Sequence, residues 1–205
     1  MDTRFDALIF DCDGTLADTM PGHYISWQTT MQRYGITFTE ARFYQLGGVP
    51  TVKIIEMLAE EAGLTLDAAA VAMEKEQAFH QSALATIQPI APVVAIARQY
   101  RERMPMAVAT GSAGWAARAV LTQINVLDWF QALVGAEDTD RHKPEPDVYL
   151  EAARRLSVDP TRCCAFEDTD MGLESARRAG MEAVDIRDMI ANSQAYQEAQ
   201  YESRP

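Results

Sequence analysis

Apolar residues in this chain gather into short, nearly unbroken runs, separated by longer stretches of helical period. The first run is Ala7-Leu8-Ile9-Phe10. Met106-Ala107-Val108-Ala109, Ala132-Leu133-Val134 and Cys163-Cys164-Ala165-Phe166 follow, and Ala183-Val184-Asp185-Ile186 is a weaker fifth. Runs of this length without polar alternation are expected of strands covered on both faces. Helical spacing between them predicts helices over 92–103, 113–124, 146–156 and 172–179, with Gly180 placed as a C-cap after Arg177-Arg178-Ala179. Strand and helix in alternation predict an α/β fold with a doubly wound, mostly parallel sheet.

One segment breaks the alternation. Residues 19–86 carry helical patterns over 22–34, 39–46, 51–62 and 66–84, punctuated by Gly35, Gly47-Gly48 and Gly63, and no convincing strand. A crossover in a parallel sheet needs one helix, so this segment reads as an inserted α-helical cap domain. The core domain then comprises residues 1–18 and 87–205. Met31, Met57 and Met73 read as the cap's core, and Lys53 and Lys75 as solvated. The tail after Met189 is polar with a few tyrosines and is left unassigned.

Composition narrows the functional class. Lys and Arg number 18 against 30 Asp and Glu, a formal charge of -12, which argues against nucleic-acid and anionic-membrane surfaces. Three cysteines, Cys12, Cys163 and Cys164, give no disulfide framework and read as small buried hydrophobes in a reducing compartment. The N-terminus is charged rather than secretory, and no apolar run reaches the roughly 20 residues of a membrane span. The expectation is a soluble cytoplasmic protein, monomeric by default.

Candidate chemistry sits at the strand ends, where ligands of open α/β sheets bind. The first strand runs into Asp11-Cys12-Asp13-Gly14-Thr15. Two acids at the end of a buried strand need compensation by a cation, a proton or a phosphoryl group. Thr110-Gly111-Ser112 follows the second strand, Lys143 precedes a helix in His142-Lys143-Pro144-Glu145-Pro146-Asp147, and Glu167-Asp168-Thr169-Asp170 follows the fourth strand. Clustered carboxylates and hard oxygen donors suit Mg²⁺. A carboxylate can act as nucleophile through an aspartyl-phosphate, and Thr110, Lys143 and the amides of Gly111 and Ser112 offer donors for a phosphoryl group. Asp13, two residues beyond Asp11, can reach the same substrate as acid and then base. Asp170 reads as a helix N-cap. His80 and His142 lack the spacing of a zinc cluster.

In combination these four motifs resemble those of the haloacid dehalogenase superfamily, over roughly residues 5–188. Within it the chain resembles the β-phosphoglucomutase-like group, and in particular the bacterial fructose-1-phosphate and 6-phosphogluconate phosphatases. The resemblance implies Asp11 as nucleophile and Mg²⁺ ligand, and Asp13 as acid/base with its backbone carbonyl on the metal. It implies Asp168 as a direct ligand, Glu167 as one acting through water, and Thr110 and Lys143 as phosphoryl-binding groups. His23 matches a substrate-facing cap residue, and Gly48 lies in the substrate-specificity loop. The expected activity is Mg²⁺-dependent hydrolysis of a small phosphorylated sugar. The alternative is a β-phosphoglucomutase-type mutase. That reading is weakened because Thr51 stands where the mutase pattern has an arginine for the second phosphate. A non-catalytic sugar-phosphate sensor is disfavoured because Asp11 and Asp13 are both present.

Overall fold

A computed structural model describes residues 4–47 and 49–193. Its strands are β1 (Ala7–Phe10), β2 (Met106–Ala109), β3 (Ala132–Val134), β4 (Cys163–Glu167) and β5 (Glu182–Asp185). They form one all-parallel sheet in the order β3-β2-β1-β4-β5. The expected α/β doubly wound sheet is therefore the observed one. β1 lies at its centre, flanked by β2 and β4, so three of the chemistry-bearing loops leave adjacent strands at the same edge.

Strand alternation decides which helices cover which face. Leu8, Phe10, Met106, Val108, Cys164 and Phe166 point to the layer of α5 (Ala91–Tyr100) and α6 (Gly114–Gln123). Ala7, Ile9, Ala107, Ala109, Cys163 and Ala165 point to α7 (Asp147–Leu156) and α8 (Asp170–Arg178). Cys163 and Cys164 thus serve opposite faces as buried free thiols, and Cys12 is buried as well. Burying one medium-sized apolar side chain contributes about 1.5–3 kcal/mol, so this three-layer core dominates the stability of the sheet.

The helix-rich segment between β1 and α5 contains α1 (Met20–Arg33), α2 (Glu40–Gln45), α3 (Thr51–Glu61) and α4 (Ala68–Ser82). Its apolar stripes close on their own cluster, which includes Trp27, Met31, Phe38, Phe43, Ile55, Leu58 and Val71. Separation from the sheet layers is incomplete, because Phe79 and Ala83 at the end of α4 join the cluster around β1 and α5. The two connecting stretches run side by side: Asp18 N–H donates to Gln88 O at 2.9 Å and Ile90 N–H to Leu16 O at 3.0 Å.

Several details differ from the sequence reading. α8 starts at Asp170 rather than Gly172, because the Thr169 hydroxyl accepts from Gly172 N–H and is the N-cap; Asp170 is the first helical residue instead. Met73 is 50% exposed, on the side of α4 turned away from the cluster. Lys75 is not solvated but only 3% exposed, whereas the Lys53 side chain is 62% exposed and pairs with Glu56. Of the unassigned tail, residues 189–193 are helical and residues 194–205 lie outside the described residues. Among the described residues, no helix is long and apolar enough to cross a membrane.

Candidate active site

The carboxyl ends of β1, β2 and β4 converge on a cleft roofed by the helices between β1 and α5. Asp11, Asp13, Thr110, Gly111, Ser112, Lys143 and Glu167 line it from the sheet side. His23, Trp27, Phe43, Leu46, Lys75 and Glu76 line it from the helical side. Its empty volume is ≈ 890 Å³, open solvent at the mouth included.

Lys143 is the hub on the floor. Its ammonium donates to Asp11 Oδ1 at 2.8 Å, to Glu167 Oε1 at 2.5 Å and to the carbonyl of Ala109 at 3.2 Å, which uses all three protons. Burial opposes its charge, but Asp11 and Glu167 more than offset that and hold the lysine protonated. Glu167, the last residue of β4, is 1% exposed. The Tyr149 hydroxyl donates to its Oε1 at 3.0 Å. Its Oε2 accepts from Asp168 N–H, Thr169 N–H and the Thr169 hydroxyl at 3.0, 3.2 and 3.1 Å. Both oxygens are thus occupied, and the carboxylate anchors Lys143.

Asp11, Glu167 and Asp168 each offer an oxygen, and those oxygens lie within 4.8 Å of one another. Asp168 Oδ1 accepts from the Thr15 hydroxyl at 2.9 Å. Burial pushes the Asp11 carboxyl well above its ordinary range, Lys143 opposes the rise, and Glu167, Asp168 and Asp13 add to it. Burial and the neighbouring Glu167 raise Asp168 to about 7. Such shifts mean that the protein's own charges leave this carboxylate pair short of positive charge. A divalent cation with oxygen preference fits that deficit and this donor set. Gly14, at φ 81°, has no room for a side chain, because a Cβ there would overlap the Asp168 carboxylate. Glycine is thus required on two counts, backbone conformation and close approach.

Asp13 has different surroundings. Thr19 donates to its Oδ1 at 2.8 Å, His23 Nε2 lies 3.3 Å from the same oxygen, and the Ser112 hydroxyl donates to Oδ2 at 2.6 Å. Burial opposes its charge, yet the bonds from His23, Ser112 and Thr19 hold the carboxyl well below the usual range. The two acids of the first loop are therefore driven apart: Asp11 toward protonation or cation binding, Asp13 toward a free carboxylate.

The structure brings Asp11, Asp13, Thr110, Gly111, Ser112, Lys143, Glu167 and His23 to one cleft, with Asp168 beside them. Ser112 arrives in an unexpected role, since its hydroxyl serves Asp13 and its amide donates to the Thr110 hydroxyl at 3.1 Å. Among the described residues no acceptor takes the Thr110 hydroxyl proton, which suits it to a ligand. Gly48 lies outside the described residues; Gly47 lines the cleft. Thr19, Tyr149 and the Lys75–Glu76 pair were not among the expected site residues. Tyr149 sits among the apolar positions of α7, and its only signal is that a buried tyrosine hydroxyl needs a partner.

Comparison with known proteins bears on this arrangement directly. The haloacid dehalogenase-like hydrolase family matches residues 8–186. The chain belongs to that family. It is therefore an enzyme of the hydrolase class, as the four motifs led us to expect. It is 40% identical over 184 residues to fructose-1-phosphate phosphatase YqaB of Escherichia coli (strain K12), which spans 90% of this chain and 97% of that relative. It is 27% identical over 188 residues to beta-phosphoglucomutase of Bacillus subtilis (strain 168), covering 88% and 82% of the two chains. Among solved structures, CbbY from Rhodobacter sphaeroides in complex with phosphate has the same fold, with a TM-score of 0.78 and 24% identity over 87% of this chain and 84% of that one.

Proposed function

We propose that this member of the family is a Mg²⁺-dependent phosphatase of small phosphorylated sugars, acting through an aspartyl-phosphate on Asp11. The observation that carries the reading is the separation of two neighbouring acids. Asp11 is held against Lys143 beside Asp168, and Asp13 is held as a carboxylate by Thr19, His23 and Ser112. The 40% identity to a fructose-1-phosphate phosphatase supports the substrate class.

In this reading Asp11 and Asp168 hold the cation together with the Asp13 backbone carbonyl. Glu167, whose oxygens are already occupied, acts through water. When bound, Mg²⁺ offsets negative charge on the phosphoryl group. Thr110 and the amide of Gly111 receive the phosphoryl oxygens, and Lys143 joins them by turning the proton it gives to the Ala109 carbonyl, while its bond to Asp11 fixes that carboxylate for in-line attack. An Asp11 oxygen forms a bond to phosphorus as the bond to the sugar oxygen breaks, and that oxygen takes a proton from Asp13. Asp13 takes up that proton from solvent before this half of the reaction, because the incoming phosphate anion raises its proton affinity. Asp13, again a carboxylate, then removes a proton from water as that water attacks phosphorus, and the Asp11–phosphorus bond breaks to release inorganic phosphate. The hydrogen bonds around Asp13 favour this second half.

Residues 19–86 act in this account as a cap that covers the substrate and excludes bulk water. The mutase reading needs a cap cation for a second phosphate. Among the described residues lining the cleft there is no arginine; Thr51 lines it, Lys53 is turned to solvent, and the Lys75 ammonium is bonded to His23 and Glu76. Phosphate release from a panel of phosphorylated metabolites, with and without Mg²⁺, tests the proposal. Mg²⁺-dependent release from fructose 1-phosphate is expected; interconversion of glucose phosphates without release would favour the mutase.

A further inference from the structure

We propose that Glu76 is a specificity-determining residue: its carboxylate receives a hydroxyl of the substrate's unphosphorylated end and bars a second anionic group from that end. The inference rests on the sugar-phosphatase reading and concerns the opposite wall of the same cleft.

α4 places Lys75 and Glu76 together on that wall. Lys75 Nζ bonds to His23 Nδ1 at 2.8 Å and to Glu76 Oε1 at 2.9 Å, and lies 5.7 Å from the ring centres of both Trp27 and Phe79. The Glu76 side chain is 15% exposed, and its Oε2 is buried with no hydrogen-bond partner among the described residues. A buried carboxylate oxygen without a donor is unfavourable. Phe43, Leu46 and Ile54 supply apolar surface to the cleft. Glu76 itself lines the cleft, and we take the missing donor to be a ligand bound there.

A hydroxyl fits this gap because it can donate to Oε2 and also accept the remaining Lys75 proton. A phosphate dianion or carboxylate brings only acceptors and meets the Glu76 charge. Lys75 does not reverse this preference, since its charge is already shared with Glu76. The pair thus suits an uncharged polyol and disfavours a sugar bisphosphate.

The test compares kcat/KM for fructose 1-phosphate, fructose 1,6-bisphosphate and p-nitrophenyl phosphate in wild type, Glu76→Gln and Glu76→Asp. Wild type is expected to favour the monophosphate over the bisphosphate. In Glu76→Gln that ratio falls at least about ten-fold, the scale of one hydrogen bond to a charged group. Its loss on fructose 1-phosphate exceeds its loss on p-nitrophenyl phosphate, which has no hydroxyl to place. Glu76→Asp, which keeps the charge, retains the discrimination. Equal wild-type use of mono- and bisphosphate, or a ratio in Glu76→Gln within two-fold of wild type, overturns the assignment. A wild-type enzyme that releases phosphate from none of the three would instead overturn the phosphatase reading itself.

Discussion

The Tyr149 hydroxyl donates to Glu167 Oε1 at 3.0 Å, with both side chains buried behind Lys143. The Tyr149 ring also faces the Lys143 ammonium, 5.2 Å from its centre. A residue of the α7 core is thereby joined to the floor of the cleft. Tyr149→Phe removes one donor from Glu167 and leaves packing intact. Glu167 Oε1 keeps its bond from Lys143, so the cost is that of one hydrogen bond to a charged group, about 1.5–3 kcal/mol. The expected result is a lower Tm together with a reduced kcat, because Lys143 loses its fixed anchor. Thermal denaturation and steady-state kinetics check both.

The two raised acids predict a pH-dependent metal affinity. Asp168, raised to about 7, is protonated below that pH in the cation-free protein. A cation must displace that proton, so Mg²⁺ binding should weaken by up to about ten-fold per pH unit below 7. Calorimetry in buffers of different ionisation enthalpy should register proton release on binding. Stability follows the same sign. A carboxyl raised on folding contributes stability below its unfolded value near 3.8, and that contribution is lost as pH rises through about 7. The cation-free protein should therefore lose Tm between about pH 4 and 7 from this group and level off above that, and Mg²⁺ should restore it most above pH 7.

Gly172 in the first turn of α8 sits against Glu167, and a Cβ there would overlap the carboxylate. Gly172→Ala should displace Glu167, costing about 1–3 kcal/mol as overpacking does. It should also lower kcat, because Glu167 holds Lys143. Denaturant unfolding and phosphate release should move together.

His80 of α4 stacks on Trp115 of α6, with centroids 4.8 Å apart. This contact joins the helical roof to the sheet layers. Such ring pairs contribute about 0.5–1.5 kcal/mol, so Trp115→Ala should change Tm little. Because the contact holds the roof over the cleft, KM for the sugar phosphate should rise more than kcat falls.

Legibility in the sequence followed burial. β1, β2 and β4 could be read because strands covered on both faces need unbroken apolar runs, and Asp11, Asp13 and Glu167 stood out where those runs end, with Lys143 just before a helix. β5 was weak in sequence because it is an edge strand whose residues are only partly buried. Lys75 was misread because it sits between Glu74 and Glu76 in a charged stretch, and only tertiary packing turns it onto Trp27 and Phe79. Met73 was misread because α4 carries apolar residues on more than one side. Tyr149 and Thr19 could not be singled out, since their partners lie on other elements or across a turn.

The central claim is that Asp11 carries the phosphoryl group. The most direct test is the initial rate of phosphate release from fructose 1-phosphate with Mg²⁺, measured for wild type and Asp11→Asn. The account predicts wild-type turnover and a loss of at least about 10³-fold in the variant, as expected when a nucleophile is removed. Turnover by Asp11→Asn within ten-fold of wild type would contradict it.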